Sequence, residues 1–385
     1  MRGFIRPAAF MLVLIVLTTV TLLTAGCSEP ESENTFLELL RLLPASDKND
    51  GFFALIDYEL LRQDAGISLY TIDNQEISRE QFIEDLITAA KEERLIGTDN
   101  LKFASYYSGW DRYMITSPIN DKHVGYNLTD IDAEIIRYSH MPELKVAAIG
   151  KFSTQTTEEA FRNHDEWPSW AVEKYTEENY RNVIIHSWGD GTEQHLHDTF
   201  SPPHIDSIGC ARPLAVIDGY IFVASSVDDV KVMIDVSKNK ASSLADVTEY
   251  MLTARWMYEL GVRATILADE AKANDNPQAD DFDTRPRLKK FLTVGTGMAR
   301  DEAGEYIALV LVHENSEIAK ENVLLLQQRV DKCRSGIYVK AWSDLICDTQ
   351  IHVKGEVLIA KLYFEKETQY GSSYILDDTL LLHEE

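Results

Sequence analysis

The sequence is short of positive charge. Against 63 Asp and Glu it carries 37 Lys and Arg, a formal net charge of −26. A basic face able to displace counterions from a phosphate backbone is therefore not expected, and no nucleic-acid partner is assigned. The same imbalance disfavours adhesion to an anionic lipid surface by charge alone. Cysteine is scarce, with four in 385 residues. None stands in a CxxC pair or at Cys/His finger spacing, which argues against thioredoxin-like redox chemistry and a structural zinc finger. The chain also lacks GxSxG, HExxH, a P-loop and GxGxxG, and with them the familiar signatures of nucleophilic hydrolases, zinc proteases and nucleotide binders. Ser237-Lys238-Asn239-Lys240 fits SxxK, but its companion motifs are missing and a solvated turn accounts for it. No catalytic residue is assigned, and the reading leans away from an enzyme. What remains is an ordinary globular composition, 45% hydrophobic and 26% charged with mean hydropathy −0.21, long enough for two or three domains.

The N-terminus is informative. Arg2 and Arg6 precede an uncharged run over residues 8–26 that includes Phe10, Met11, Leu12, Val13, Leu14, Ile15, Val16 and Leu17. This is the n-region and h-region pattern of a secretory signal. It ends in Leu23-Thr24-Ala25-Gly26-Cys27, which resembles the lipobox of bacterial lipoproteins. That resemblance implies a signal peptide of residues 1–26, cleavage before Cys27, and acyl chains such as palmitate on Cys27 that hold the protein to the cell membrane, or to the outer membrane where there are two. Several chains anchor far better than one, because each buried methylene contributes about 0.8 kcal/mol. An uncleaved spanning anchor over residues 8–26 is the other reading of the same run. Either way the body is extracytoplasmic. Cleavage would leave 35 basic against 63 acidic residues, a charge of −28. Residues 27–35 then comprise the lipidated cysteine and a polar tether, Ser28 to Thr35, without an apolar side chain.

With Cys27 assigned to lipid, Cys333 and Cys347 are the closest remaining pair. A disulfide between them is expected as one reading, worth about 3 kcal/mol for a loop of this length, with two buried thiols as the other.

The body predicts an α+β fold of two similar halves, each an antiparallel sheet with helices packed on one face. Leu214 to Ser226 reads as a hairpin around Asp218-Gly219, followed by a helix over Val227 to Val236. Phe291 to His313 reads as a longer hairpin, followed by a helix over Ser316 to Lys332. Strands are also expected at Gly51–Tyr58, Leu144–Phe152 and Val357–Phe364. The first domain spans 36–273 and ends in a long helical connector, Ser242–Ala273. Residues 274–287, polar and broken by Pro277 and Pro286, form an acidic linker, and 288–385 form the second domain. Leu43-Pro44-Ala45, Phe53-Ala54-Leu55-Ile56-Asp57 and Asp218 to Ser226 together resemble a group of uncharacterised bacterial surface lipoproteins built from such modules. That resemblance implies no reaction.

One cluster suggests chemistry. His164, His186, His195, His197 and His204 lie close together in the chain. If Val183–Trp188 and Thr192–Asp198 pair across an Asp190-Gly191 turn, His186 stands opposite His195, and both share a face with His197, Glu193 and Trp188. Three imidazoles and a carboxylate would suit zinc or copper, in a metal carrier or a metal-dependent hydrolase. The same alternation also describes a solvated face opposite an aliphatic one. Trp167, Trp170 and Tyr175, around Pro168, either line a groove or cap a core. The leading expectation is a non-enzymatic module that binds an envelope protein or a small molecule, with the metal protein as the alternative.

Overall fold

The computed structural model describes residues 34–48, 51–67, 81, 84–85, 88–89, 125–126, 130–138, 143–162, 169–189, 212–270, 286–336, 339–364 and 379–383. Among these are seven α-helices: α1 (Thr35–Leu40), α2 (Tyr58–Asp64), α3 (Thr154–Arg162), α4 (Ser169–Lys174), α5 (Val227–Ser237), α6 (Thr248–Glu259) and α7 (Ser316–Lys332). The strands are β1 (Phe52–Asp57), β2 (Ile131–Tyr138), β3 (Leu144–Gly150), β4 (Tyr175–Tyr180), β5 (Val183–Trp188) and β6 (Leu214–Ile217). They continue as β7 (Tyr220–Ala224), β8 (Ala264–Asp269), β9 (Thr293–Asp301), β10 (Gly304–Val312), β11 (Ile346–Lys354) and β12 (Val357–Phe364). All twelve form one antiparallel sheet in the order β11-β12-β10-β9-β8-β1-β2-β3-β7-β6-β5-β4. The α+β class and the antiparallel sheet implied by the sequence are what the structure has.

Two similar halves meet at the centre of this sheet. β1 and β8 pair antiparallel, with Phe52 opposite Ala268 and Ile56 opposite Ala264. Outward from them the orders are β1-β2-β3-β7-β6 and β8-β9-β10-β12-β11, which follow the same connectivity on either side of the β1-β8 pair. The likeness extends to single bonds. Gly150 N donates to Gly219 O at 3.1 Å, and at the equivalent place His313 N donates to Glu356 O at 3.0 Å. The repeat is phased differently from the sequence reading. The counterpart of β9-β10-α7 is β2-β3-α3 rather than β6-β7-α5, and the hairpin β4-β5 is an addition to the first half.

Both faces of the sheet are buried, so its inner strands read as continuous apolar runs. In β10, Ala308, Val310 and Val312 point to one face and Ile307, Leu309 and Leu311 to the other, all buried. The first face carries Phe53, Leu55, Ile135, Phe222 and Ile359 and is covered by α1, α5 and α6. The second carries two clusters, one under α2 and α3 with Ile56, Val146 and Phe161, the other under α7 with Leu309, Leu326 and Leu358. α6 can lie close on the first face because two positions of β9 have no side chain. A Cβ at Gly295 would stand 2.6 Å from Thr253 Cγ2, and one at Gly297 would stand 2.4 Å from Val262 Cγ1 and 2.7 Å from Ala264 O.

The expected helical connector is shorter than the sequence implied. α6 stops at Glu259, Gly261 takes φ 76°, and the chain enters β8 at the middle of the sheet. Every residue of β8 is buried, so no period-two alternation marks it as a strand. The acidic segment 274–287 falls between the neighbouring strands β8 and β9, and its residues 274–285 lie outside the described ones. No helix among the described residues is long and apolar enough to cross a membrane.

Candidate functional site

β5 is a strand, as expected, but its partners differ from those the sequence suggested. His186 stands opposite Glu177 of β4 and Leu214 of β6, so both ladder positions beside it are taken by described strands. The turn joining β4 to β5 is Arg181-Asn182, with φ of 51° and 64°, the backbone a two-residue hairpin of matching twist requires. Glu193, His195 and His197 lie outside the described residues. Among the described residues no group of three His, Cys, Asp or Glu is placed to hold a metal ion.

His186 is 2% exposed and points to the second face. Phe161 of α3 lies against it with ring centroids 4.3 Å apart, and the Tyr175 ring runs nearly parallel to it at 6.0 Å. Trp188 completes the box, 5.7 Å from Phe161 and 5.4 Å from Tyr175. Tyr175 Oη is 2.7 Å from Glu177 Oε1 and 2.8 Å from His186 Nδ1. A phenol has one proton, so when the hydroxyl donates to the carboxylate, the network assigns the imidazole proton to Nδ1, donating back to the phenol oxygen. Burial pushes the His186 pKa down from 6.5 to about 4, against an opposing pull from Glu177. Burial and the bond to Glu177 push the Tyr175 hydroxyl up. A neutral imidazole with a pKa near 4 is a weak base, and its Nδ1 is already committed. What this cluster does is fasten the added β4-β5 hairpin to α3. Tyr175 therefore caps a core. The spacing Tyr175-x-Glu177 and the aromatic Phe161 were visible in the sequence, but nothing in it placed them beside His186.

Three other buried polar groups are joints. Asp47 receives Lys145 Nζ at 2.8 Å and lies 3.7 Å from Arg137 Nη1, while Lys145 also reaches Asp229 at 3.2 Å. This ties the 3-10 turn Ala45–Asp47 to β2, β3 and α5. His313 lies 3.1 Å from Glu356 O through Nδ1 and accepts from Asn322 Nδ2 at 2.8 Å, and Asn322 also holds both backbone groups of Lys289. Arg329 donates to Leu380 O at 2.6 Å and Pro286 O at 2.5 Å, and burial lowers its pKa to about 10. The SxxK residues run from the last residue of α5 into the turn after it, where Ser237 Oγ donates to Ile234 O and Lys238 Nζ to Arg181 O.

The expected disulfide is not formed. Cys333 is buried at the C-terminal end of α7, while Cys347 is exposed at the irregularity of β11 and donates to Tyr363 O at 3.3 Å.

The open surface with the most distinctive chemistry lies at β11. Its residues alternate, with Thr349, Ile351 and Val353 half-buried on the second face and Gln350, His352 and Lys354 exposed on the first. Lys354 Nζ sits 4.3 Å from the centre of the Trp256 ring. Lys361 of β12 shares this face, bonded to Asp301 at 2.5 Å and 4.5 Å from the Tyr306 ring centre. Burial lowers the His352 pKa, and the charges of Lys354 and Lys361 lower it further. The alternation Asp348-Thr-Gln-Ile-His-Val-Lys354 was the available signal, legible as a strand but not as an edge.

No family matches this chain, and no curated protein matches it. Among solved structures it is similar to TP0453 in crystal form I, at 10% identity over 84% of this chain and 91% of that one with a TM-score of 0.34. It is similar to crystal form III of the same protein at 10% identity over 85% and 93%, with a TM-score of 0.32. A likeness this distant leaves function to be read from the chain's own residues.

Proposed function

We propose that this chain is an extracytoplasmic lipoprotein, anchored through acyl chains on Cys27, whose folded body is a non-enzymatic interaction module. The observation that carries the reading is the placement of Ala25-Gly26-Cys27 at the end of an uncharged run that follows Arg2 and Arg6. Among the described residues the first helix begins at Thr35, and in this reading the polar residues after Cys27 serve as tether to the packed body. A mature charge of −28 repels anionic headgroups and favours a body held off the surface, available to partners. The buried, neutral His186, the histidine of that cluster among the described residues, supports a structural role for this imidazole. Palmitate labelling tests the anchor. Label should enter the wild-type chain and be lost in Cys27→Ser, which should also retain residues 1–26. An unlabelled wild type, or label that persists in Cys27→Ser, would overturn the reading.

A further inference from the structure

We propose that the outer edge of β11 is a docking site for an extended segment of a partner protein in which acidic and apolar residues alternate, added antiparallel as a further strand of the sheet. This deepens the interaction-module reading and rests on it, but not on the lipid anchor.

The internal repeat supplies the geometry. β6 and β11 occupy equivalent places, and Leu214 and Ala215 correspond to Ile351 and His352 through their partners on β7 and β12. In the first half the outer edge at those two residues is already paired with a strand, Ile185 opposite Ala215 and His186 opposite Leu214. In the second half no strand among the described residues takes that position. The fold thus shows, on its own equivalent edge, that a strand fits there. Edge strands present unpaired N–H and C=O groups in a row, and addition of an extended segment is the interaction they favour.

Side chains select what fits. A residue in the place of Ile185 would face His352, and the residue two positions away would face Lys354, both on the first face. Lys354, with Lys361 one strand inward, puts positive charge on this face of a strongly acidic chain, beside a His352 that is neutral at pH 7. Asp348 at the far end is the acid of β11 on that face, and Asp301 is already bonded to Lys361. Residues in the alternate positions would meet Ile351 and Val353 on the second face. Beside them, Gln327 of α7 accepts from Thr349 of β11 at 2.9 Å. The incoming strand is therefore acidic on one side and apolar on the other.

A fluorescent peptide of alternating Glu and Val, titrated into the full-length chain in detergent micelles, tests this. It should bind, and binding should weaken about tenfold in the variant carrying His352→Glu and Lys354→Glu, since one exposed attraction becomes a repulsion and a second negative charge is added. It should be abolished when alternate peptide nitrogens are methylated, which blocks strand pairing but leaves the charges. The Cys27→Ser chain should bind it unchanged, so that failure of the anchor and failure of this proposal are told apart. Both replaced residues are exposed, and unchanged thermal melting will show that the double variant folds. Equal affinity for the double variant, for the methylated peptide or for a Lys-Val peptide would overturn the proposal. Crosslinks joining β11 to β11 of a second copy, with no competition from the peptide, would also overturn it.

Discussion

Replacing His186 by Gln should flatten the acid sensitivity of folding by an amount the structure sets. The side chain is 2% exposed, and its pKa falls from 6.5 to about 4 in the fold. The unfolded chain therefore takes up this proton at a higher pH than the folded one. Its contribution to stability is complete above about pH 6.5, declines as pH falls through the window between the two values, and is fully lost below about pH 4. Each unit of difference corresponds to about 1.4 kcal/mol, so the total is about 3 kcal/mol, of which about 2.5 kcal/mol is already lost near pH 4.5. His313 and His383 are also lowered by burial, and Asp47 and Asp57 are raised by it. Their effects are common to both proteins and cancel in the difference. Gln is chosen because its amide can still donate to the Tyr175 oxygen. Urea denaturation followed by tryptophan fluorescence, at about pH 7.5 and about pH 4.5, should show the wild type losing about 2.5 kcal/mol more than His186→Gln. Equal losses in the two proteins would refute the buried, neutral imidazole.

Two further outcomes follow from packing. Gly297→Ala should destabilise the chain by about 2–3 kcal/mol, because the new methyl meets the Ala264 carbonyl as well as Val262; thermal melting measures it, and an unchanged midpoint would show that α6 does not sit close on β9. In the native chain a maleimide should label Cys347 rapidly and Cys333 only after unfolding. Protection of both, released by a reductant, would restore the disulfide.

Local features were the legible part of this sequence. The helix over Ser316–Lys332 and the strand over Val357–Phe364 have the bounds the pattern suggested, because one is amphipathic with Asn315 as its cap and the other is a bounded apolar run. The Asp218-Gly219 turn was readable from the residues that tolerate its backbone, and Gly219 indeed has φ 84°. Non-local pairing was not legible. Arg181-Asn182 makes the β4-β5 turn without a glycine, so a stronger turn signal at Asp190-Gly191 drew β5 to the wrong partner. β8 hid inside a helical reading because burial on both faces erased its alternation. For the same reason the repeat was recognised but misphased, since a hairpin followed by a helix occurs three times and only sheet order shows which two correspond. The His186 environment depends on α3 and β4 arriving from elsewhere in the chain, and the β11 edge is defined by the order of the described strands.

The central claim is tested most directly by the mass of the mature N-terminus. Mass spectrometry of the chain purified from membranes should find residues 1–26 absent and Cys27 as the first residue, carrying two or three acyl chains. A chain that still begins at Met1, or one that begins at Cys27 without acyl groups, would contradict the account.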